Sequence, residues 1–135
     1  MLNLEIVTPE KRVLDETVES VTVPSSSGDV GIMTNHAPMI SALRSGILTY
    51  TRDGKADRML ISGGFVEISN NKVSILADVA ETVEDIDADT AKQLLDAASK
   101  SVAGWQGTAD EYESVKDNLD RAQARAQLAS QNRER

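Results

Sequence analysis

The chain reads as an all-β N-terminal domain, a sandwich or barrel of many short strands, followed by a C-terminal antiparallel α-helical hairpin. Three observations predict this. Apolar and polar positions alternate through the first part of the sequence. Turn-forming residues cut that alternation into short runs. Beyond residue 85, alanine-rich helical spacing replaces it. The expected division is 1–85 for the β domain and 86–135 for the hairpin.

The first run, LNLEIVT, places Leu2, Leu4 and Ile6 on one face, as a half-buried strand requires. VESVTVP repeats the pattern through Val21 and Val23. GILTYTR, RMLISGGFVEIS and KVSILADV supply further strands. Between the runs lie TPEK, SSSGD, RDGK and SNNK. Asp53-Gly54 and Asn70-Asn71 suit two-residue hairpins, whose central positions need left-handed backbone. Tyr50 and Phe65 are the aromatic residues of this half, so its core must be built mostly from Val, Ile, Leu and Met.

In the second half, Ala91, Leu95, Ala98, Val102 and Trp105 recur at helical spacing. GWQGTADE then interrupts the pattern, and Thr108 with Glu111 three residues on is a capping-box signature for a second helix. Its seam runs through Tyr112, Val115, Leu119, Ala122, Ala126 and Ala129. A short glycine-containing link between two such seams makes an antiparallel hairpin. Alanine methyls stabilise little when each buried methylene is worth roughly 0.8 kcal/mol. The hairpin is therefore expected to lean on the β domain or on a partner. The tail SQNRER is expected to fray.

Composition excludes several functions. No cysteine is present, which removes disulfides, thiolate metal sites and cysteine nucleophiles, and a single histidine makes a zinc site improbable. A net charge of -8 opposes binding to phosphate backbones, so nucleic acid is not an expected partner. The opening MLNLEIVTPEKRVL lacks a basic segment ahead of an apolar run, so no signal peptide is expected. No run approaches the length of apolar sequence that spans a bilayer.

Three blocks carry a specific resemblance: GDVGIMTNHAPMISALRSGIL, SGGFVEIS and ILADVAETVEDIDADTAKQL, with VTPEKRV near the start. In this order and at this length the chain resembles the epsilon subunits of rotary F-type ATP synthases, called delta in mitochondria. The resemblance implies a sandwich of about ten strands with a C-terminal helical hairpin. It implies a non-catalytic rotor subunit of the central stalk, bound to the gamma subunit and resting on the c-ring. That subunit couples proton-driven rotation to ATP synthesis, and its hairpin can reach the alpha/beta catalytic head to inhibit hydrolysis. A peripheral location on the cytoplasmic face of a bacterial inner membrane, held there only through partner subunits, is implied as well.

On the first block, the resemblance implies a docking loop whose acidic residue and histidine, here Asp29 and His36, meet the c-subunit loops. Gly31, beside Gly28, allows close backbone approach, and Ile32 and Met33 offer adaptable apolar contact. Pro38 and Leu43 are expected to lead back into the core. His36 has two other readings. It could pack or cap a turn before Pro38. It could also serve a small β-sandwich hydrolase, but Ser25, Ser26, Ser27 and Thr34 nearby form no nucleophile motif around it. In SGGFVEI, Gly63, Gly64, Phe65 and Glu67 read either as an ordinary strand entered through a glycine bulge or as an edge facing gamma.

The acids Asp78, Glu81, Glu84, Asp85, Asp87 and Asp89 lack the spacing of a calcium loop and read as a solvated linker whose last members favour a helix N-terminus. Some members of the resembled family bind ATP through an Ile/Leu-Asp-x-x-Arg-Ala motif plus arginines on the second helix. Here Asp87, Arg121 and Arg125 match, but Thr90 replaces the motif arginine and Asp89 adds charge that repels a triphosphate. No cofactor is expected, and an ATP-sensing module is the alternative function. An Asp117–Arg121 pair one turn apart is the plain reading of that helix. Lys116, Arg121 and Arg125 are balanced by Asp110, Glu111, Glu113, Asp117 and Asp120, so weak or absent inhibition of ATP hydrolysis is expected.

Overall fold

The computed structural model describes residues 1–133, with side chains through residue 130. Ten strands form in chain order: β1 Leu2–Val7, β2 Arg12–Val18, β3 Ser20–Ser25, β4 Gly28–Ile32, β5 Met39–Ala42, β6 Gly46–Arg52, β7 Lys55–Ser62, β8 Phe65–Ser69, β9 Lys72–Leu76 and β10 Val79–Thr82. They make two five-stranded sheets, β2-β1-β9-β8-β5 and β10-β7-β6-β3-β4. β1 and β9 run parallel, and the pairs β1–β2, β8–β9, β5–β8, β6–β7, β3–β6 and β3–β4 run antiparallel. The arrangement is a sandwich, which decides between the two architectures that strand spacing alone left open.

The alternation in LNLEIV is realised in full: Leu2, Leu4 and Ile6 are completely buried while the residues between them are half-exposed. They meet Val18, Val21, Val23, Leu48, Ile61, Val66, Ile68, Val73 and Ile75 in one core. Each such side chain contributes about 1.5–3 kcal/mol on burial, so aliphatic packing can hold the domain without large aromatic residues. Asp53-Gly54 and Asn70-Asn71 both take left-handed backbone, with φ of 52° and 76° and of 51° and 59°, and close the β6–β7 and β8–β9 hairpins.

Two apparent single strands are each divided between the sheets. VESVTVP breaks at Glu19, which leaves Val18 in β2 and Ser20 in β3; the Glu19 N–H donates to the Thr51 carbonyl at 2.8 Å. RMLISGGFVEIS breaks at Gly63-Gly64, with φ of 70° and 92°, which carries the chain from β7 in one sheet to β8 in the other. RVLDETV, GDVGI and MISA are strands that the alternation did not announce.

The chain divides into two units at Met1–Glu81 and Thr82–Arg135, four residues before the expected boundary at 85. Thr82 explains the shift. It caps a 3-10 turn over Val83–Asp85, with its backbone N–H and hydroxyl both donating to Asp85 Oδ2, at 3.0 and 2.9 Å. This turn precedes the helices and belongs with them.

Helix α1 spans Ala88–Ala103 and helix α2 spans Ala109–Arg133. Asp87 caps α1, accepting from the Thr90 N–H at 3.0 Å, so the last acids of the linker serve the helix start. Thr108 caps α2 by accepting the Glu111 N–H at 3.2 Å. Between them Trp105 donates its indole N–H to the Thr108 carbonyl at 3.2 Å and lies 6.4 Å from the Tyr112 ring. The seam holds except at the link: Ala91, Ala98, Ala122 and Ala129 are buried and Leu95, Val102, Val115, Leu119 and Ala126 partly so, but Trp105 lies past the end of α1 and Tyr112, in the first turn of α2, is exposed. Ala124 and Leu128, which the heptad count omitted, are also buried. The first four residues of the tail SQNRER are helical; Glu134 and Arg135 lie outside the described residues.

Candidate functional site

Strand β4 is an edge of its sheet. Its odd positions, Asp29 and Gly31, are exposed, while Val30 and Ile32 turn inward. Ile32 is only 1% exposed and sits in the core, so the expectation that it offers a contact surface is corrected. The physical reason is strand alternation: a residue next but one to Val30 shares its buried face. Met33, one residue on, is 69% exposed.

Gly31 has an ordinary φ, and a Cβ built there meets nothing within 4 Å. The fold does not require glycine at this position. Gly28, by contrast, has φ of 130° and does use glycine's freedom.

Asp29 is not a lone charge. Its carboxylate pairs with the Arg44 guanidinium, and Arg44 is held in turn by its backbone N–H, which donates to the Pro24 carbonyl at 2.9 Å. Both side chains remain largely solvent-exposed. Sequence reasoning did not find Arg44, because the pair spans fifteen positions and two strand connections.

The segment from Met33 to Pro38 is a turn. The His36 N–H donates to the Met33 carbonyl at 3.2 Å, and Asn35 between them takes φ of 67°. His36 Nδ1 lies 2.7 Å from the Ala37 carbonyl oxygen, an acceptor only, so the ring carries its proton on Nδ1. Ser25 is buried and gives its hydroxyl to the Gly28 carbonyl at 2.6 Å. The Nδ1 of the histidine and the hydroxyl of the serine are thus each committed to local backbone groups. Leu43 is buried, as expected, and Pro38 is exposed.

The glycines of SGGFVEI face their own chain. A Cβ on Gly64 would overlap the Leu76 carbonyl oxygen, and one on Gly63 would overlap the Asp78 carboxylate. The Gly64 carbonyl also accepts the Leu43 N–H at 2.9 Å. Their close approach is internal, and it lies at a crossover between the two sheets rather than at a bulge within one strand. Phe65 and Glu67 instead point outward from β8. The strand register aligns Ala42, Phe65, Leu76 and Val7 across the sheet. Phe65 and Leu76 are 57% and 58% exposed and Ile40, on the next row, is 73% exposed. Glu67 lies opposite Ile40. This apolar row with an acidic neighbour was not evident from the sequence, because it joins residues from four strands.

Of the candidate nucleotide residues, Asp87 is occupied as the α1 cap, and the Thr90 hydroxyl also donates to it at 2.6 Å. Arg121 pairs with Asp117 at 3.1 Å, as the one-turn spacing suggests. Arg125 lies one turn further on and is partly buried. A shallow cleft between the helices is lined by Ala88, Lys92, Leu95, Ala126, Ala129 and Ser130. Among the described residues, no group of three or more His, Cys, Asp or Glu could hold a metal ion.

Residues 1–83 match the family model of the ATP synthase delta/epsilon chain β-sandwich domain. The chain belongs to the ATP synthase delta/epsilon family. It is 42% identical to the ATP synthase epsilon chain of Nitratidesulfovibrio vulgaris, over 94% of this chain and 87% of that one. It is 41% identical to the ATP synthase epsilon chain of Magnetococcus marinus, over 96% and 93%. A chain of the Euglena gracilis mitochondrial ATP synthase shares the fold with a TM-score of 0.79 at 22% identity, covering 96% of this chain and 81% of that chain. A chain in the central stalk and c-ring structure of the Tetrahymena thermophila mitochondrial ATP synthase does so with a TM-score of 0.67 at 15% identity.

Proposed function

We propose that this family member is the non-catalytic rotor subunit of a proton-translocating ATP synthase, joining the gamma subunit to the c-ring in the central stalk. Whole-length likeness to ATP synthase epsilon chains carries the reading. The c-ring contact is assigned to Asp29, Gly31, Met33 and His36, which lie along β4 and the turn after it. Gamma is assigned the outward face of β8 and its neighbours, through Phe65 and Glu67 with Ile40 and Leu76. An exposed apolar row of this kind is a common feature of protein contact sites. No helix among the described residues is long and apolar enough to cross a membrane. Likeness to ATP synthase epsilon chains supports attachment through the partner subunits, assigned here to the cytoplasmic face of a bacterial membrane.

Neither alternative has comparable support. A hydrolase would need a nucleophile within reach of His36 Nε2, and the nearby Ser25 hydroxyl is buried and donates to the Gly28 carbonyl instead. An ATP sensor would need Asp87 and Arg121 for the nucleotide, and both already have partners. The hairpin is proposed to act, at most, as a weak regulator of hydrolysis through the alpha/beta head.

The decisive experiment is co-purification. The full chain, tagged and expressed in its own cells, is expected to carry gamma and c subunits out of detergent-solubilised membranes. Recovery of the chain without either would sink the rotor reading. Gly31→Ala gives a finer test of the ring contact. Because the fold leaves room there and alanine is better than glycine within a strand, the isolated variant is expected to be as stable as wild type or up to about 1 kcal/mol more so. Its binding to a gamma/c-ring complex is expected to fall several-fold, since the added methyl stands where a partner backbone approaches. Unchanged binding by titration would remove Gly31 from the contact.

A further inference from the structure

The turn that carries Met33 and His36 is held by a residue far away in sequence. We infer that Asn71, in the hairpin turn between β8 and β9, is a positioning residue for the rotor-ring contact. This rests on the docking reading above. The Asn71 side-chain carbonyl accepts the Asn35 backbone N–H at 2.6 Å, across 36 positions of sequence. Its amide nitrogen lies 3.5 Å from the Asn35 side-chain oxygen, a second and weaker contact in the same direction.

The anchor itself is firm. The Asn71 carbonyl accepts the Asn3 N–H at 2.9 Å, and Asn3 belongs to β1 in the interior of the sheet. Both asparagines take left-handed backbone, with φ of 67° at Asn35 and 59° at Asn71. Asparagine tolerates that conformation and also brings an amide. Glycine would supply the first property without the second.

The turn's other bonds are local, from His36 to Met33 and from His36 to Ala37. Local bonds give the turn its shape, and β4 and β5 hold its two ends, but neither joins its tip to the sheet. The Asn71 amide ties it to the sheet and fixes the direction in which Met33 and His36 are presented. A surface ordered in advance loses less freedom on docking than one ordered by its partner.

Asn71→Gly isolates this role. Asn-Gly is a preferred pair for such a hairpin, so the variant keeps the turn and loses the amide. Amide exchange at Asn35 is expected to quicken by about three- to tenfold, the range implied by one lost hydrogen bond. The thermal midpoint should stay at the wild-type value, and binding of the full chain to a purified gamma/c-ring complex should weaken over the same range. Asn71→Asp retains an acceptor for the Asn35 N–H and is expected to restore both readouts. Unchanged exchange at Asn35 in Asn71→Gly, or no restoration by Asn71→Asp, overturns the inference.

Asp29→Arg, which leaves the Asn71 contact in place, separates this failure from failure of the docking reading. If Asp29→Arg weakens ring binding and Asn71→Gly does not, the positioning role is overturned alone. If neither affects binding, docking by this edge is wrong and the positioning role falls with it.

Discussion

Gly64→Ala is expected to cost the sandwich about 3 kcal/mol or more, a large share of the 5–15 kcal/mol that holds a typical domain together. Two effects add. The backbone at Gly64 has φ of 92°, a conformation that a residue with a side chain adopts only under strain. A new Cβ would also overlap the Leu76 carbonyl oxygen, which is backbone and is fixed in the ladder between β8 and β9. Neither can relax without moving the start of β8, where the chain crosses from one sheet to the other. Gly63→Ala provides the comparison. Its φ of 70° is nearer the left-handed well, and its obstacle is the Asp78 carboxylate, a side chain that can turn away. Its loss should be clearly smaller, on the order of 1–2 kcal/mol. Urea denaturation of both variants decides the matter. A Gly64→Ala midpoint equal to or above that of Gly63→Ala would mean that Leu76 yields easily and that the glycine pair is not what fixes the crossover.

These glycines also mark the limit of what the sequence discloses. Alternation in LNLEIV and KVSIL, the left-handed pairs Asp53-Gly54 and Asn70-Asn71, and the capping threonine at 108 are local signals, and each has its expected counterpart in the structure. What was not legible is long-range. Alternation tells which face of a strand is buried but not which sheet the strand joins, so VESVTVP and RMLISGGFVEIS each looked like one strand. Strand β2 was missed because an edge strand need not be apolar, and in RVLDETV only Val18 is fully buried. Ile32 was placed on the surface because the block around it was read as a loop. Recognised as a strand, the same residues would have put Ile32 inside by alternation with Asp29 and Gly31. The Asp29–Arg44 and Asn35–Asn71 contacts depend on the topology of the whole sandwich, and no local pattern encodes them.

The Asp29–Arg44 pair supplies the second large prediction, because Asp29 has two possible uses. As one half of an exposed ion pair it would add about 1 kcal/mol or less to the fold. As a negative charge presented to basic partner loops it would matter much more, since like charges brought together at a contact can cost several kcal/mol. A charge exchange separates the two. Asp29→Arg alone removes the internal pair and sets two positive charges side by side at the edge of β4. The double variant Asp29→Arg with Arg44→Asp restores an ion pair with its polarity reversed. If the pair only supports the fold, the double variant recovers whatever the single one loses. If Asp29 meets the ring, the double variant melts like wild type, yet its binding to the gamma/c-ring complex stays down by about ten- to a hundredfold. Proton-driven ATP synthesis in membranes carrying it stays low as well. The second outcome is expected, because β4 presents Asp29 and Gly31 on its solvent side while Arg44 reaches Asp29 from the connection between β5 and β6. Arg44 then orients the carboxylate without neutralising its purpose, and exchanging the two charges puts the wrong sign where the partner approaches.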